Sequence, residues 1–138
     1  EFVNEAVHSY GGIVLHDIIN NRFARKAIEK GADGLIAVAA GAGGHAGATS
    51  PFALVQEIRE WFDGPLLLSG SIATGDAVLA SQAMGADLAY IGSAFIATDE
   101  ANAGVSMTGL SQFNFNRRVG LAVNFISMTP YAFAMEGK

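Results

Sequence analysis

Short apolar runs along the chain alternate with segments whose apolar residues recur at helical spacing. The apolar runs are too short for helices and too continuous for strands exposed on one side, which is typical of strands covered on both faces. In the intervening segments, apolar residues recur three to four positions apart, as on one face of a helix. The pattern predicts strands at 12–15, 34–39, 65–69 and 88–91, and helices at 21–30, 51–62 and 74–84.

Strict alternation of strand and helix predicts an α/β fold with parallel strands and right-handed crossovers. Two stretches repeat the same order of helix, Gly-Ala-Asp and apolar run: NNRFARKAIEKGADGLIAVAA and TGDAVLASQAMGADLAYIG. In the first, we expect Gly31 to end the helix in a left-handed conformation. Asp33 and Asp87 are predicted to be turn formers at strand starts, at the end of the sheet opposite the site.

The helix predicted after residue 50 has a recognisable beginning. Pro51 suits the first helical turn, and the hydroxyl of Ser50 can cap the free amides. Trp61 and Phe62, at the predicted end of this helix, are expected to belong to the core.

Composition narrows the class of protein. Of the 138 residues 51% are apolar, which is enough for the core of one globular domain. The chain has only eight Lys and Arg residues and a net charge of −5. Both values argue against nucleic acid as a partner. The absence of cysteine excludes disulfides, thiolate nucleophiles and cysteine-ligated metals. No metal site is predicted.

Membrane insertion and secretion are not predicted either. The apolar tract 119–135 is interrupted by Asn124 and Pro130 and falls short of the roughly 20 residues that a bilayer requires. The first residues lack the basic and then apolar order of a signal peptide. We expect a cytoplasmic protein.

Glycine-rich segments follow three of the predicted strands: GAGGHAG, GSIATG and GSAFIATDE. Ligands of parallel α/β folds bind beyond the carboxyl ends of the strands, so three such loops predict one continuous site. The first segment also matches the dinucleotide pattern G-x-G-x-x-A. That reading requires an acidic residue at the end of the next strand, where the chain has the uncharged Ser69, and it is disfavoured.

The two later loops instead suit a phosphate. In a barrel, the loops after the last two strands and the N-terminus of a short helix bind phosphate. No Lys or Arg lies between Arg59 and Arg117. Backbone amides and hydroxyls are therefore predicted to bind the phosphate.

The combination of GGHAG, PLLLSGSI and GADLAYIGSAFIATDE, within residues 12–103, resembles the nitronate monooxygenase (2-nitropropane dioxygenase) flavoproteins. This family includes FMN-dependent enoyl-ACP reductases. The resemblance implies that residues 1–103 form strands five to eight of an FMN-binding TIM (β/α)8 barrel. Residues 104–138 are then an apolar tail of unassigned role.

The resemblance also implies roles for individual residues. His45 corresponds to the catalytic histidine, although a lone loop histidine is by itself more typical of a structural one. Two departures from the family stand out: Asp17 where a lysine is usual and Ser71 where a second glycine is usual. The residues implied to bind FMN are Gly43 and Gly44 near the ring, and Ser69, Gly70, Ser71, Gly92 and Ser93 at the phosphate.

Three functions follow as hypotheses. The first is oxidation of alkyl nitronates or nitroalkanes with O2, with His45 as general base. The second is reduction of an enoyl thioester or quinone with NAD(P)H. The third is a non-catalytic half-barrel that binds phosphate or a partner. A full barrel needs about 200 to 250 residues, so we predict a homo-oligomer if this chain folds alone.

Overall fold

The computed structural model describes residues 2–43 and 46–92. Four parallel strands form one sheet in the order β1-β2-β3-β4, and a helix precedes each strand. The predicted α/β class is therefore confirmed. The elements are α1 Phe2–Ser9, β1 Leu15–Ile18, α2 Asn21–Glu29, β2 Gly34–Val38, α3 Pro51–Arg59, β3 Leu66–Ser69, α4 Gly75–Ala83 and β4 Leu88–Tyr90.

The main hydrophobic core lies between the sheet and the helices α2 and α3. Leu35 of β2 and Leu66 of β3 contribute from the sheet, and Leu54 and Ile58 contribute from α3; all four are fully buried. Burial of each such side chain contributes roughly 1.5–3 kcal/mol to the stability of the fold. A second, smaller cluster contains Val78 of α4 and two residues at β4, Ala89 and Ile91, with Ile72 packed between the two clusters.

The opposite face of the sheet is also apolar in its centre. Ile36 and Leu67 point away from the helix side and are buried. Burial on both faces is confirmed for β2, whose first four residues are all buried. In β4 only the central Ala89 is buried, and Leu88 and Tyr90 are half-buried, so the prediction is wrong for that strand.

The first strand begins three residues later than predicted, because a helix ends where the strand was expected. Gly11 has a φ of +81°, and the amides of Gly11 and Gly12 donate to the carbonyls of His8 and Val7 at 2.9 and 3.0 Å. This pair of bonds is a Schellman ending. The two glycines thus end α1, a helix that the sequence did not predict, and they do not begin β1.

The same ending closes α2, as expected for Gly31. Gly31 has a φ of +85°, and its amide donates to Ile28 at 2.9 Å while the amide of Ala32 donates to Ala27 at 3.1 Å. At the other end of α2, Asn20 caps the helix by accepting from the amide of Phe23. Pro51 begins α3 as predicted, but Ser50 makes no capping bond, and that prediction is wrong.

Trp61 and Phe62 lie beyond the end of α3 and pack, half-buried, against the core. The indole N–H of Trp61 donates to the side-chain oxygen of Asn21 at 2.7 Å. The guanidinium of Arg25 lies 4.3 Å from the centre of the indole ring. Trp61 therefore joins α3 to α2, in agreement with its predicted place in the core.

Asp33 and Asp87 do more than form turns at the starts of β2 and β4. The amide of Asp33 donates to the Val14 carbonyl at 2.8 Å, and its carboxylate accepts from the Val14 amide at 2.6 Å. Asp87 makes the same two bonds with Leu66, both at 2.8 Å. We call these two pairs the aspartate clasps; each fixes the amino end of one strand to that of its neighbour.

Candidate active site

The carboxyl ends of the four parallel strands lie at the same edge of the sheet. Two loops lie there. The glycine loop, residues 39–50, follows β2 and is described at 39–43 and 46–50; the serine loop, residues 69–74, begins at the end of β3. Gly92 follows β4 at the same edge. The described residues therefore include parts of all three predicted loops.

The base of the glycine loop is closed by backbone hydrogen bonds. The amide of Ala40 donates to the carbonyl of Thr49 at 2.9 Å, and the amide of Gly47 donates to Val38 at 3.1 Å. Gly47 also lies against the residue after β1: a Cβ atom there would stand 2.8 Å from the Ile19 carbonyl oxygen. The described parts of the loop thus rest on the ends of both β1 and β2.

The serine loop packs directly on the glycine loop. Gly70 has a φ of +139°, and a Cβ atom there would stand 3.0 Å from the carbonyl oxygen of Ala40. The next residue, Ser71, donates to the carbonyl of Gly41 from both its amide, at 3.1 Å, and its hydroxyl, at 3.3 Å. These contacts join the first two predicted loops into one continuous surface.

Ser71 has a φ of +53°, and no other non-glycine residue in the described part of the chain has a positive φ. The left-handed region is uncommon for residues with a Cβ atom. Gly41, opposite, has a φ of +93°, and a Cβ atom on it would collide with the Ser71 hydroxyl. With the Ser71 side chain in the observed rotamer, only glycine leaves room at position 41, a pairing that the sequence pattern alone does not show.

Some of the predicted site residues lie in the described part of the chain, and others do not. Ser69 ends β3 half-buried, in register with Val38 and Tyr90 on the neighbouring strands. Gly43 is exposed, with no atom within 4 Å of the place of its Cβ. The structure brings Gly70 and Ser71 into contact with the base of the loop that contains Gly43. Gly44, His45 and Ser93 lie outside the described residues, as do residues 104–138.

The arrangement is compatible with the phosphate and ring of a flavin. Gly70 allows two backbone segments to approach more closely than a side chain would permit, and the open space beside Gly43 leaves the loop accessible to a planar group. The N-terminus of α4, by contrast, is already occupied: Thr74 accepts from the Ala77 amide at 3.2 Å, and Asp76 adds a negative charge in the first turn. A phosphate is therefore disfavoured at α4.

His16 and Asp17 lie within β1. His16 is in register with the helix-facing Leu35, and its Nδ1 lies 3.0 Å from the Asp17 carbonyl oxygen. Asp17 lies on the opposite face, in register with Ile36. Partial burial raises the pKa of the Asp17 carboxyl, and the adjacent His16 opposes the rise.

A shallow cavity lies at the outer edge of β1, beside α2. Its volume is about 280 Å³. It is lined by His16, Asp17, Phe23, Lys26, Ala27 and Lys30. None of its lining residues belongs to the glycine or serine loop, so the cavity is separate from the candidate site.

In residues 2–43 and 46–92, no three His, Asp or Glu side chains lie together in a manner that could hold a metal ion. Among the helices of this same part of the chain, none has the length and apolar character needed to cross a bilayer.

Known proteins resemble the chain over most of its length. The family model described as nitronate monooxygenase matches residues 1–112. A nitronate monooxygenase of Neurospora crassa is 32% identical over an alignment of 107 positions, and the match covers 71% of this chain and 28% of that protein.

Solved structures share the fold as well. A nitroalkane oxidase of Streptomyces ansochromogenes superposes with a TM-score of 0.70 and 32% identity, over 75% of this chain and 33% of its own. FabK of Thermotoga maritima gives a TM-score of 0.63 and 30% identity, over 70% and 31%. The chain thus spans about a third of the length of these proteins, and its strand and helix units correspond to part of a TIM barrel. The chain belongs to the nitronate monooxygenase family.

Proposed function

We propose that this chain forms the FMN-binding and proton-transferring part of an oxidoreductase that oxidises alkyl nitronates or nitroalkanes with O2. The observation that carries the proposal is the direct contact between the serine loop and the glycine loop at the carboxyl edge of the sheet. In TIM-barrel enzymes this edge contains the active site. The contact brings the proposed phosphate-binding residues to the base of the loop that contains the histidine.

The residues present fit FMN without any cation. The phosphate would be bound by Ser69 and Gly70 on one side and by Gly92 and Ser93 on the other, since both donors of Ser71 are directed at the Gly41 carbonyl. The ring would be held beside Gly43 and Gly44. When bound, FMN supplies the capacity to accept electrons from the substrate. The protein contributes binding, orientation and the transfer of a proton.

His45 is the proposed general base. Carbon atoms next to a nitro group carry an acidic proton, and an imidazole titrates near neutral pH, so a histidine can accept that proton at physiological pH. The glycines on both sides of His45 allow the backbone to approach the ring closely. His45 Nε2 or Nδ1 then retains the proton until it is released to solvent.

Replacement of this base tests the proposal. We expect His45→Asn to lower turnover of a nitroalkane by a factor on the order of 10² or more, because general base catalysis contributes about that much, while bound flavin is retained. His16→Asn is the matched control, since His16 lies in β1 and outside both loops. Turnover by His45→Asn within a few-fold of the wild type would contradict the assignment.

The likeness to FabK favours a second candidate, the FMN-dependent reduction of an enoyl thioester or quinone with NAD(P)H. In that reaction His45 would donate a proton to the substrate, which receives a hydride from the reduced flavin. Anaerobic addition of NADPH distinguishes the two: rapid bleaching of the flavin absorbance supports reduction, and bleaching by a nitroalkane alone supports oxidation. A colourless protein that takes up no added FMN supports the third possibility, a non-catalytic phosphate-binding or interacting module.

The open sheet gives a further expectation for the isolated chain. Within the described residues, β1 and β4 each pair on one side only. Unpaired strand edges favour association with another chain. We therefore expect a homo-oligomer, in which two copies close one barrel, when this chain is expressed alone. Light scattering at micromolar concentration measures the mass, and a monomer there would contradict this expectation.

A further inference from the structure

We propose that Ser71 is a positioning residue that fixes the glycine loop relative to the serine loop, and that it acts on the flavin ring through Gly41 rather than by contact with the phosphate. The proposal rests on the proposed function for its flavin part. Its structural part stands on the contacts between the two loops alone.

Both donors of Ser71 are directed at one acceptor. Its amide and its hydroxyl lie 3.1 and 3.3 Å from the Gly41 carbonyl oxygen. The φ of +53° at Ser71 accompanies this double contact. Since a left-handed conformation is unfavourable for serine and acceptable for glycine, a serine here carries a conformational cost that a glycine would avoid. The hydrogen bond from the Ser71 hydroxyl to Gly41 offsets this cost.

The acceptor belongs to the part of the glycine loop that leads to the open side. Gly41 lies two residues before Gly43, which has no atom within 4 Å of the place of its Cβ. The base of the same loop is fixed to β2 by the bond between Gly47 and Val38. Ser71 therefore restrains Gly41 in the segment that leads to Gly43. A small displacement of this segment would change the position of the loop relative to a bound ring.

Hydrogen exchange of the full chain without flavin tests the contact itself. In Ser71→Ala the hydroxyl is lost and the backbone cost remains; in Ser71→Gly both are lost. We expect exchange of the amides in 40–43 and 70–73 to become at least about threefold faster in both variants, because a lost bond raises local opening. Ser9→Ala, which removes a hydroxyl bond within α1 at 2.7 Å, is the matched control and leaves these amides unchanged.

If Ser71 contributed only backbone strain, the change in amide exchange rate would have the opposite sign. If the positive φ were the whole effect, Ser71→Gly would relieve it, and exchange would be unchanged or slower than in the wild type. That result overturns the proposal whether or not the protein binds flavin.

Paired titrations with FMN and riboflavin test the route to the flavin, since riboflavin lacks the phosphate. Action through Gly41 alters the shape of the flavin absorption band in Ser71→Ala and Ser71→Gly with both ligands. A tenfold or greater loss of FMN affinity with unchanged riboflavin binding identifies Ser71 as a phosphate contact and overturns the positioning role. An unchanged band shape with both ligands overturns it too. If the wild type binds neither ligand but the variants exchange faster, the proposed function fails and the contact between the loops stands.

Discussion

The two edges of the sheet are built from different chemistry. At the amino edge, side-chain carboxylates form the aspartate clasps, and each clasp also contacts a basic group: His8 at 2.8 Å for Asp33 and Arg59 at 2.8 Å for Asp87. At the carboxyl edge, glycines allow backbone to pack on backbone, and the contacts run through carbonyl oxygens. The difference is typical of barrels, in which one end contributes stability and the other contains the active site.

At the amino edge, the side chain of Arg59 joins several segments of the chain. Its guanidinium donates to the carbonyls of Gly85, Phe62 and Gly64 at 2.7, 3.1 and 2.9 Å, as well as to Asp87. The end of α4, the turn after α3 and the start of β4 thus meet at one cation. This planar fork of donors is specific to arginine, and a lysine could not reproduce it.

The largest effect is expected from a methyl group at the carboxyl edge. Gly70→Ala introduces a Cβ atom 3.0 Å from the Ala40 carbonyl oxygen at a φ of +139°. The two loops must separate, so we expect FMN affinity to fall more than about tenfold and the free energy of unfolding to fall by roughly 1–3 kcal/mol.

Fluorescence titration with FMN and urea unfolding measure the two effects of Gly70→Ala. Gly43→Ala is the control for stability, because no atom lies within 4 Å of its added methyl group. Equal FMN affinities of Gly70→Ala and the wild type would show that the contact between the loops is dispensable for binding.

Removal of a clasp at the amino edge is expected to affect stability alone. Asp87→Ala leaves the amide of Leu66, a fully buried residue, without its carboxylate acceptor. We expect a loss of about 2 kcal/mol in the free energy of unfolding. FMN affinity of the folded protein should remain within about threefold, since the clasp lies at the opposite edge.

Asp87→Asn separates the two contacts of this carboxylate. The amide side chain can still accept from Leu66 but loses the ion pair with Arg59, and since Asp87 is half-exposed, we expect a loss of under about 1 kcal/mol. If Asp87→Asn were as destabilising as Asp87→Ala, the ion pair and not the backbone bond would be the stabilising part of the clasp.

The smallest effect is a pH dependence at the other clasp. Hydrogen bonds from the Val14 amide and from His8 hold the pKa of the Asp33 carboxyl below its ordinary value. A lowered pKa contributes stability that is present above the unfolded-state pKa and is lost as the pH falls through the folded-state value. We therefore expect the stability difference between the wild type and Asp33→Asn to shrink as the pH falls below about 4. Urea unfolding at pH 7 and pH 3 measures it, and a difference that grows in acid would be the wrong sign.

Much of this organisation could be predicted from the sequence, because it depends on local patterns. The alternation of apolar runs and helical segments predicts the sheet, and the glycine of each Gly-Ala-Asp predicts the end of a helix. Gly11 and Gly12 carried the same signal, but the apolar residues after them extend without a break into β1, so the boundary was placed too early.

The contact between the loops could not be predicted in the same way. It depends on the conformation of Ser71 and on the missing side chain of Gly41, two residues that are thirty positions apart. The sequence predicts Gly70 as a ligand-binding residue and assigns no role to Gly41, whereas in the structure both glycines allow one loop to pack on the other. The sequence shows that a residue is small, but only the folded backbone shows which atoms lie beside it.

The unequal division of the hydrophobic core has a consequence for cooperativity. Among the described residues, β4 and α4 contribute a small cluster of three buried residues, joined to the main core through the half-buried Ile72. Local opening is cheapest where few apolar contacts must be broken. A ligand bound to both Ser69 and Gly92 would link the two clusters, and its binding free energy would add to the stability of the weaker unit. Occupancy of the site and integrity of the last strand would then be thermodynamically linked.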